Sequence, residues 1–141
     1  MKVLGRTIGG LIAIAIALLL LQAIASETGE VVVLHTTDAT GNDVTTRVWI
    51  VDHDGAPWLR AGHSTSAWYV RLAAQPAIRV KRGDVIADYV AMPMPDKRAT
   101  INALMRAKYG WRDALIGAMV GGRDRAIPIR LERRDAANPP G

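Results

Sequence analysis

The first hydrophobic feature of the chain is an apolar run from Ile8 to Ala25, broken only by Gln22 and free of charge. Lys2 and Arg6 precede it, and Ser26-Glu27 follow. At a rise of ~1.5 Å per residue such a run reaches about 27 Å as a helix, close to the thickness of a bilayer core. It reads equally as a signal peptide, because Ala23-Ile24-Ala25 is a small-x-small site directly before polar residues. Residues 1–25 are therefore expected to be a signal peptide or a transmembrane anchor, with membrane contact through residues 8–25. Either way the basic start favours the cytoplasmic side. The rest of the chain, anchored or exported, is expected on the outer side of the cytoplasmic membrane.

From Glu30 the pattern changes to strand-like. β-Branched residues crowd Val31-Val32-Val33 and the run from Val44 to Val51. Between them Asp38 to Asp43 is rich in residues that tolerate turn geometry, so the two runs form a hairpin. Asp52-His53-Asp54-Gly55 is a second turn leading into a short strand around Trp58-Leu59-Arg60. The polar loop Gly62 to Ser66 precedes a helix over Ala67 to Ala74, with Ser66 as N-cap and Pro76 beyond its end. Ala77 to Lys81 and Val85 to Ala91 alternate around Arg82-Gly83-Asp84, a further hairpin.

Two helices come next. After Asp96, residues Ile101, Leu104, Met105 and Lys108 share one face until Gly110; Trp111, Leu115 and Met119 then recur at four-residue spacing before Gly121-Gly122. A last strand covers Ala126 to Leu131, and residues 135–141, ending Asn138-Pro139-Pro140-Gly141, form a tail expected to be disordered. Six or so short strands in antiparallel hairpins, with helices inserted late, predict a mainly β domain over residues 30–134, closed into a small barrel that removes its own edges.

Composition narrows the chemistry. The 141 residues contain no cysteine, which excludes thiolate nucleophiles, Fe–S ligation and cysteine-based zinc sites. Of the 18 basic residues, Lys2 and Arg6 lie in the leader, and the remainder exceed the 13 acidic residues by only three. The densest basic cluster, Arg123 to Arg134, is interrupted by Asp124 and Glu132, so no nucleic-acid footprint is expected. The three histidines, His35, His53 and His63, match no metal-binding spacing, and no metal site is expected. His63 stands out for its place before a helix N-terminus, where free N–H groups favour anions. Trp58, Trp68 and Tyr69 are either core filler or, beside the Gly-Ser-Thr loop, a wall for a planar ring.

The order of these pieces carries a resemblance. A strand ending Thr36-Thr37, the Thr40-Gly41 turn, Val48-Trp49-Ile50-Val51, Asp54-Gly55, the Gly62 loop, Trp68-Tyr69-x-x-Leu72-x-x-x-Pro76, Ala77-Ile78-Arg79-Val80, Arg106-Ala107-Lys108-Tyr109 and the closing strand Arg125 to Leu131 follow one another as in the deazaflavin-dependent nitroreductase family and an uncharacterised sister family. The ordered set resembles these families over about Val31 to Arg133; no single motif does. The resemblance implies a small split β-barrel of the flavin-reductase and pyridoxamine-phosphate-oxidase type. It also implies F420 or FMN as cofactor, a quinone- or nitro-type small molecule as substrate, and a homodimer.

Carried over residue by residue, Thr40, Gly41 and Trp49 match the first-hairpin positions, and Gly62, Ser66, Trp68 and Tyr69 match the loop and helix; His63 and Ser64 lie within that loop. The chain has Asp38, Ala39, Asp43 and Val44 where deazaflavin-binding relatives carry basic residues, and Arg47, on the strand face of Thr45 and Trp49, is the substitute cation. The alternative partner for Arg47 is Asp38 or Asp43 across the hairpin. Two functions follow: a membrane-associated oxidoreductase in which the cofactor does the hydride chemistry, so that no acid–base pair is expected, or an exported, cofactor-free binding or structural module.

Overall fold

The structure is a computed structural model that describes residues 2–27, 29–119 and 121–134, with side chains of residues 2–4 and 21–27 left out. It divides into two compact units, residues 1–30 and 31–141. The first holds α1 (Lys2–Glu27). Every side chain of α1 that is described, from residue 5 to residue 20, is exposed. Among the described residues no helix is long and apolar enough to cross a membrane; residues 5–20 reach about 24 Å against a core of roughly 30 Å. The sequence-predicted span of residues 8–25 runs past that stretch. Ala23-Ile24-Ala25 and the tail 135–141 lie outside the residues so described.

The second unit contains β1 (Val31–Thr37), β2 (Asp43–His53), β3 (Ala56–Ala61), α2 (Ala67–Ala74), β4 (Ala77–Arg82), β5 (Val85–Pro93), α3 (Arg98–Tyr109), α4 (Trp111–Met119) and β6 (Ile127–Arg133). A single 3-10 turn, Pro95–Lys97, carries Asp96 and leads into α3, so the helix starts later than an Asp96 cap implies. The strands close a fully antiparallel barrel in the order β1-β2-β3-β6-β5-β4. The β2–β3 turn has positive φ at both Asp54 (53°) and Gly55 (73°), the geometry a two-residue Asp-Gly hairpin requires.

Alternation along the strands produces two cores on opposite sides of one wall. Val32, Leu34, Val48, Ile50, Leu59, Ile78, Val80, Ile129 and Leu131 point inward, and α2 adds Leu72 with Trp68 and Tyr69 against them. The alternate residues Val51 and Trp58 point outward and are covered by Ile101, Met105 and Tyr109 of α3. Each of these large side chains contributes about 1.5–3 kcal/mol on burial.

Tyr109 also repairs the sheet. β1 begins opposite Trp49, so Ile50 has no β1 neighbour. The Tyr109 hydroxyl accepts from the Ile50 amide and donates to the Ile50 carbonyl, both at 3.0 Å.

Candidate cofactor and substrate cavity

A cavity of about 400 Å³ opens where β2, β3, α2, α3, α4 and the α4–β6 loop meet. Val31, Val48, Met105 and Ile116 make its apolar lining, Trp49 and Trp68 its aromatic walls, and Arg47, Arg60 and Arg123 its cations. The volume lies in the range of small-molecule sites. Trp49 is held flat: its ring stacks on Tyr109 with centroids 4.2 Å apart and planes 7° apart. That pairing joins the cavity wall to the outer core.

The floor of the cavity is a buried charge cluster. Arg60 leaves its strand on the outer face beside Trp58, and its side chain is only 4% exposed. One guanidinium nitrogen donates to Asn102 Oδ1 at 3.3 Å and the other to Asp113 of α4, itself 3% exposed. Arg123 donates to the same Asp113 oxygen at 2.9 Å. Asn102 also donates to the Arg123 carbonyl, 3.2 Å away, tying α3 to the α4–β6 loop. Two guanidiniums therefore share one carboxylate, leaving net positive charge in a poorly solvated place. Burial, with Arg123 nearby, pushes the Arg60 pKa down against the opposing pull of Asp113. The Arg123 Nε is buried and has no hydrogen-bond partner among the described residues. A site with this deficit favours an anionic or oxygen-rich ligand.

Of the residues expected from the sequence, Arg47, Trp49 and Trp68 come together in this cavity. The pairing of Arg47 with Asp38 or Asp43 is not formed. Asp43 is engaged by His35 Nδ1 at 2.8 Å. The Asp38 carboxylate accepts from the Thr40 hydroxyl (2.7 Å) and from the Thr40 and Asn42 amides (2.9 Å each). The Thr40 hydroxyl, more than any other contact, holds the Asp38 carboxyl below its usual range. Thr40 and Gly41 are thus spent on closing their own turn and do not line the cavity.

The remaining expected residues sit elsewhere. Tyr69 packs on the inner core. Gly62 and Ser64 lie in the loop before α2, and Ser66 is its N-cap but accepts from the His63 amide (3.3 Å) instead of capping the helix. His63 lines a separate polar cavity of about 370 Å³ with Gly121, Gly122, Asp124 and Arg125. Near the first hairpin the cation comes from α2: Arg71 donates to the buried Thr36 hydroxyl at 2.8 Å and reaches Thr46 at 3.4 Å.

Sequence reasoning missed Arg60, Asn102, Met105, Asp113, Ile116 and Arg123. Two of them left a signal. Arg60 interrupts the apolar strand Trp58-Leu59-Arg60-Ala61, and Asp113 is the one carboxylate in a helix that is apolar from Ala114 to Met119.

A closed six-stranded barrel with a cationic, tryptophan-walled cavity under added helices is a split-barrel fold. The fold is similar to the conserved hypothetical protein Rv2991 of Mycobacterium tuberculosis, at 18% identity and a TM-score of 0.60, covering 81% of this chain and 80% of that one. It is also similar to an F420-H2-dependent reductase, FDR-A, at 20% identity and a TM-score of 0.55, covering 72% and 93%. A structure described as a domain-swapped dimer shares it at 18% identity and a TM-score of 0.59, covering 73% and 80%. No curated protein matches the chain in sequence. Residues 20–133 match the F420H(2)-dependent quinone reductase family, and the protein belongs to that family. It is an oxidoreductase of the deazaflavin-dependent kind, with F420 as its cofactor.

The residues present fit such a group. A deazaflavin is a flat ring system bearing acidic substituents, and the cavity pairs two tryptophan walls with an under-neutralised arginine cluster.

Proposed function

We propose that the protein is a membrane-associated reductase that holds F420 and reduces a quinone- or nitro-type small molecule in the Trp49–Trp68 cavity. The observation that carries this reading is the meeting of Arg47, Arg60 and Arg123 with two tryptophans in one apolar-lined cavity. When bound in its reduced state, the deazaflavin supplies a hydride. The chain supplies the rest. Trp49, locked against Tyr109, orients a flat ring by stacking. Arg47, exposed and unpaired among the described residues, binds an acidic substituent at the mouth. Arg60 and Arg123 stabilise negative charge growing on an acceptor oxygen, and they do so strongly because the surroundings are poorly solvated. Val31, Met105 and Ile116 exclude water.

The apolar run from Ile8 to Ala25 supports the membrane-associated reading, and Lys2 with Arg6 ahead of it supports an outer-side reductase unit. A homodimer is the assembly this reading expects, supported by the domain-swapped dimer of similar fold.

Titration of the purified protein with F420, followed by tryptophan fluorescence, tests the reading. Saturable binding is expected, with reduction of a quinone such as menadione by the reduced cofactor. Arg47→Ala weakens binding at least several-fold while changing stability by no more than about 1 kcal/mol, as for an exposed charge. Absence of saturable binding at high micromolar F420 overturns the cavity assignment.

A further inference from the structure

α4 is built inside out. Its apolar stripe, Trp111, Leu115 and Met119, is 64%, 52% and 77% exposed, while its inward face carries Asp113 and Gly117. The inversion follows from the charge cluster. Asp113 must face inward to meet Arg60 and Arg123, and residues two positions before, and two and six positions after it, then fall on the opposite side of the helix. The cost is an uncovered apolar face on a small domain, and such faces mark interaction sites.

We infer that this face of α4 docks on an anionic lipid surface, an inference that rests on the membrane-associated reading above. Three observations select lipid over a second protein. The patch is only a few side chains wide, whereas a stable protein interface takes roughly 20–30 residues a side. Leaving out the buried Asp113 with its partner Arg123, and Lys108, whose ammonium donates to the Ile50 carbonyl at 2.8 Å, the segment 106–125 carries three basic residues, Arg106, Arg112 and Arg125, against one acidic residue, Asp124. This balance suits acidic headgroups. Trp111 opens the helix with the Arg112 guanidinium 5.6 Å from its ring centre, an aromatic and a cation together as at a membrane interface.

The same helix also connects lipid to chemistry. Ile116, next to Leu115, lines the cavity, so a lipid-dissolved acceptor leaving the bilayer at α4 arrives beside Trp49 and Trp68.

The test uses the full chain with vesicles of phosphatidylcholine and phosphatidylglycerol, with and without bromine on the acyl chains. The emission lost in Trp111→Phe is the Trp111 component. Brominated lipid should quench that component at least about twofold, the depth expected of an interfacial helix. The double variant Leu115→Ser with Met119→Ser should recover at least half of it while its thermal melt is unchanged. Vesicle co-sedimentation without Trp111 quenching overturns the α4 inference and leaves the membrane reading standing. Failure to co-sediment overturns both. A concentration-dependent dimer that the double variant dissociates, with Trp111 unquenched, assigns the face to a second copy instead.

Discussion

The two consecutive helices α3 and α4 carry apolar residues at similar spacing yet use them in opposite ways. In α3, Ile101 and Met105 turn inward with Tyr109 and seal the outer core against Val51 and Trp58. In α4 the stripe turns outward, and a carboxylate and a glycine turn inward. Periodicity predicts a helix in both cases and states which residues share a face. It does not say which face is buried when a single charge on the other side has two buried guanidiniums to satisfy. Breaking a buried ion pair is worth more than covering a few half-exposed apolar groups, so the charge decides the rotation of the helix.

The largest expected effect breaks the comparison at its root. Asp113→Asn removes the charge that orients α4 and leaves Arg60 and Arg123 facing each other in a buried site. Urea unfolding should show a loss of about 3–5 kcal/mol. A loss under about 1 kcal/mol would mean the cluster does not set the helix.

Met105→Ala tests α3 by its own logic. The side chain is fully buried between the outer core and the cavity, so unfolding should report a loss of about 2–5 kcal/mol. Because Met105 also lines the cavity, F420 binding should weaken alongside.

Asp52 sharpens the contrast between buried and exposed charge. It accepts from both terminal nitrogens of Arg82, at 2.8 and 2.7 Å, and this hydrogen bonding, chiefly, lowers its pKa. A carboxylate with a depressed folded-state pKa adds stability that is complete above its ordinary value near ~3.9 and is lost as pH falls through the lower folded value. Asp52→Asn should therefore cost under about 1 kcal/mol at neutral pH, the scale of an exposed pair. The difference from the unaltered chain should vanish in acid, as read by denaturation at several pH values.

The smallest effect belongs to Leu115→Ser. With its side chain half exposed, stability should stay within about ±0.5 kcal/mol in the absence of lipid. A loss near the Met105→Ala value would show that α4 buries this face after all.

How far the sequence could be read follows the same division. The strands, their hairpin turns and the helix after Ser66 were legible because period-two alternation, an Asp-Gly pair and Pro76 are local signals. Arg47, Trp49 and Trp68 were legible as candidates because the first two share a strand face and the third lies in the first turn of the helix after the Gly62 to Ser66 loop. Thr40 and Gly41 are placed by the structure in a turn closed by Asp38, a hydrogen-bond competition that residue types alone do not resolve.

The sequence by itself thus determined which segments are strands and helices, and which side chains alternate inward, because those depend on neighbours a few residues apart. Tertiary structure alone decided the cavity floor. Arg60, Asn102, Asp113 and Arg123 lie on four separate segments spread over 64 positions, and they meet only because barrel closure brings β3 beside β6, whose preceding loop carries Arg123. Desolvation there makes one carboxylate between two guanidiniums strong enough to turn α4 and expose its apolar stripe, and no local pattern encodes the dielectric in which a charge will sit.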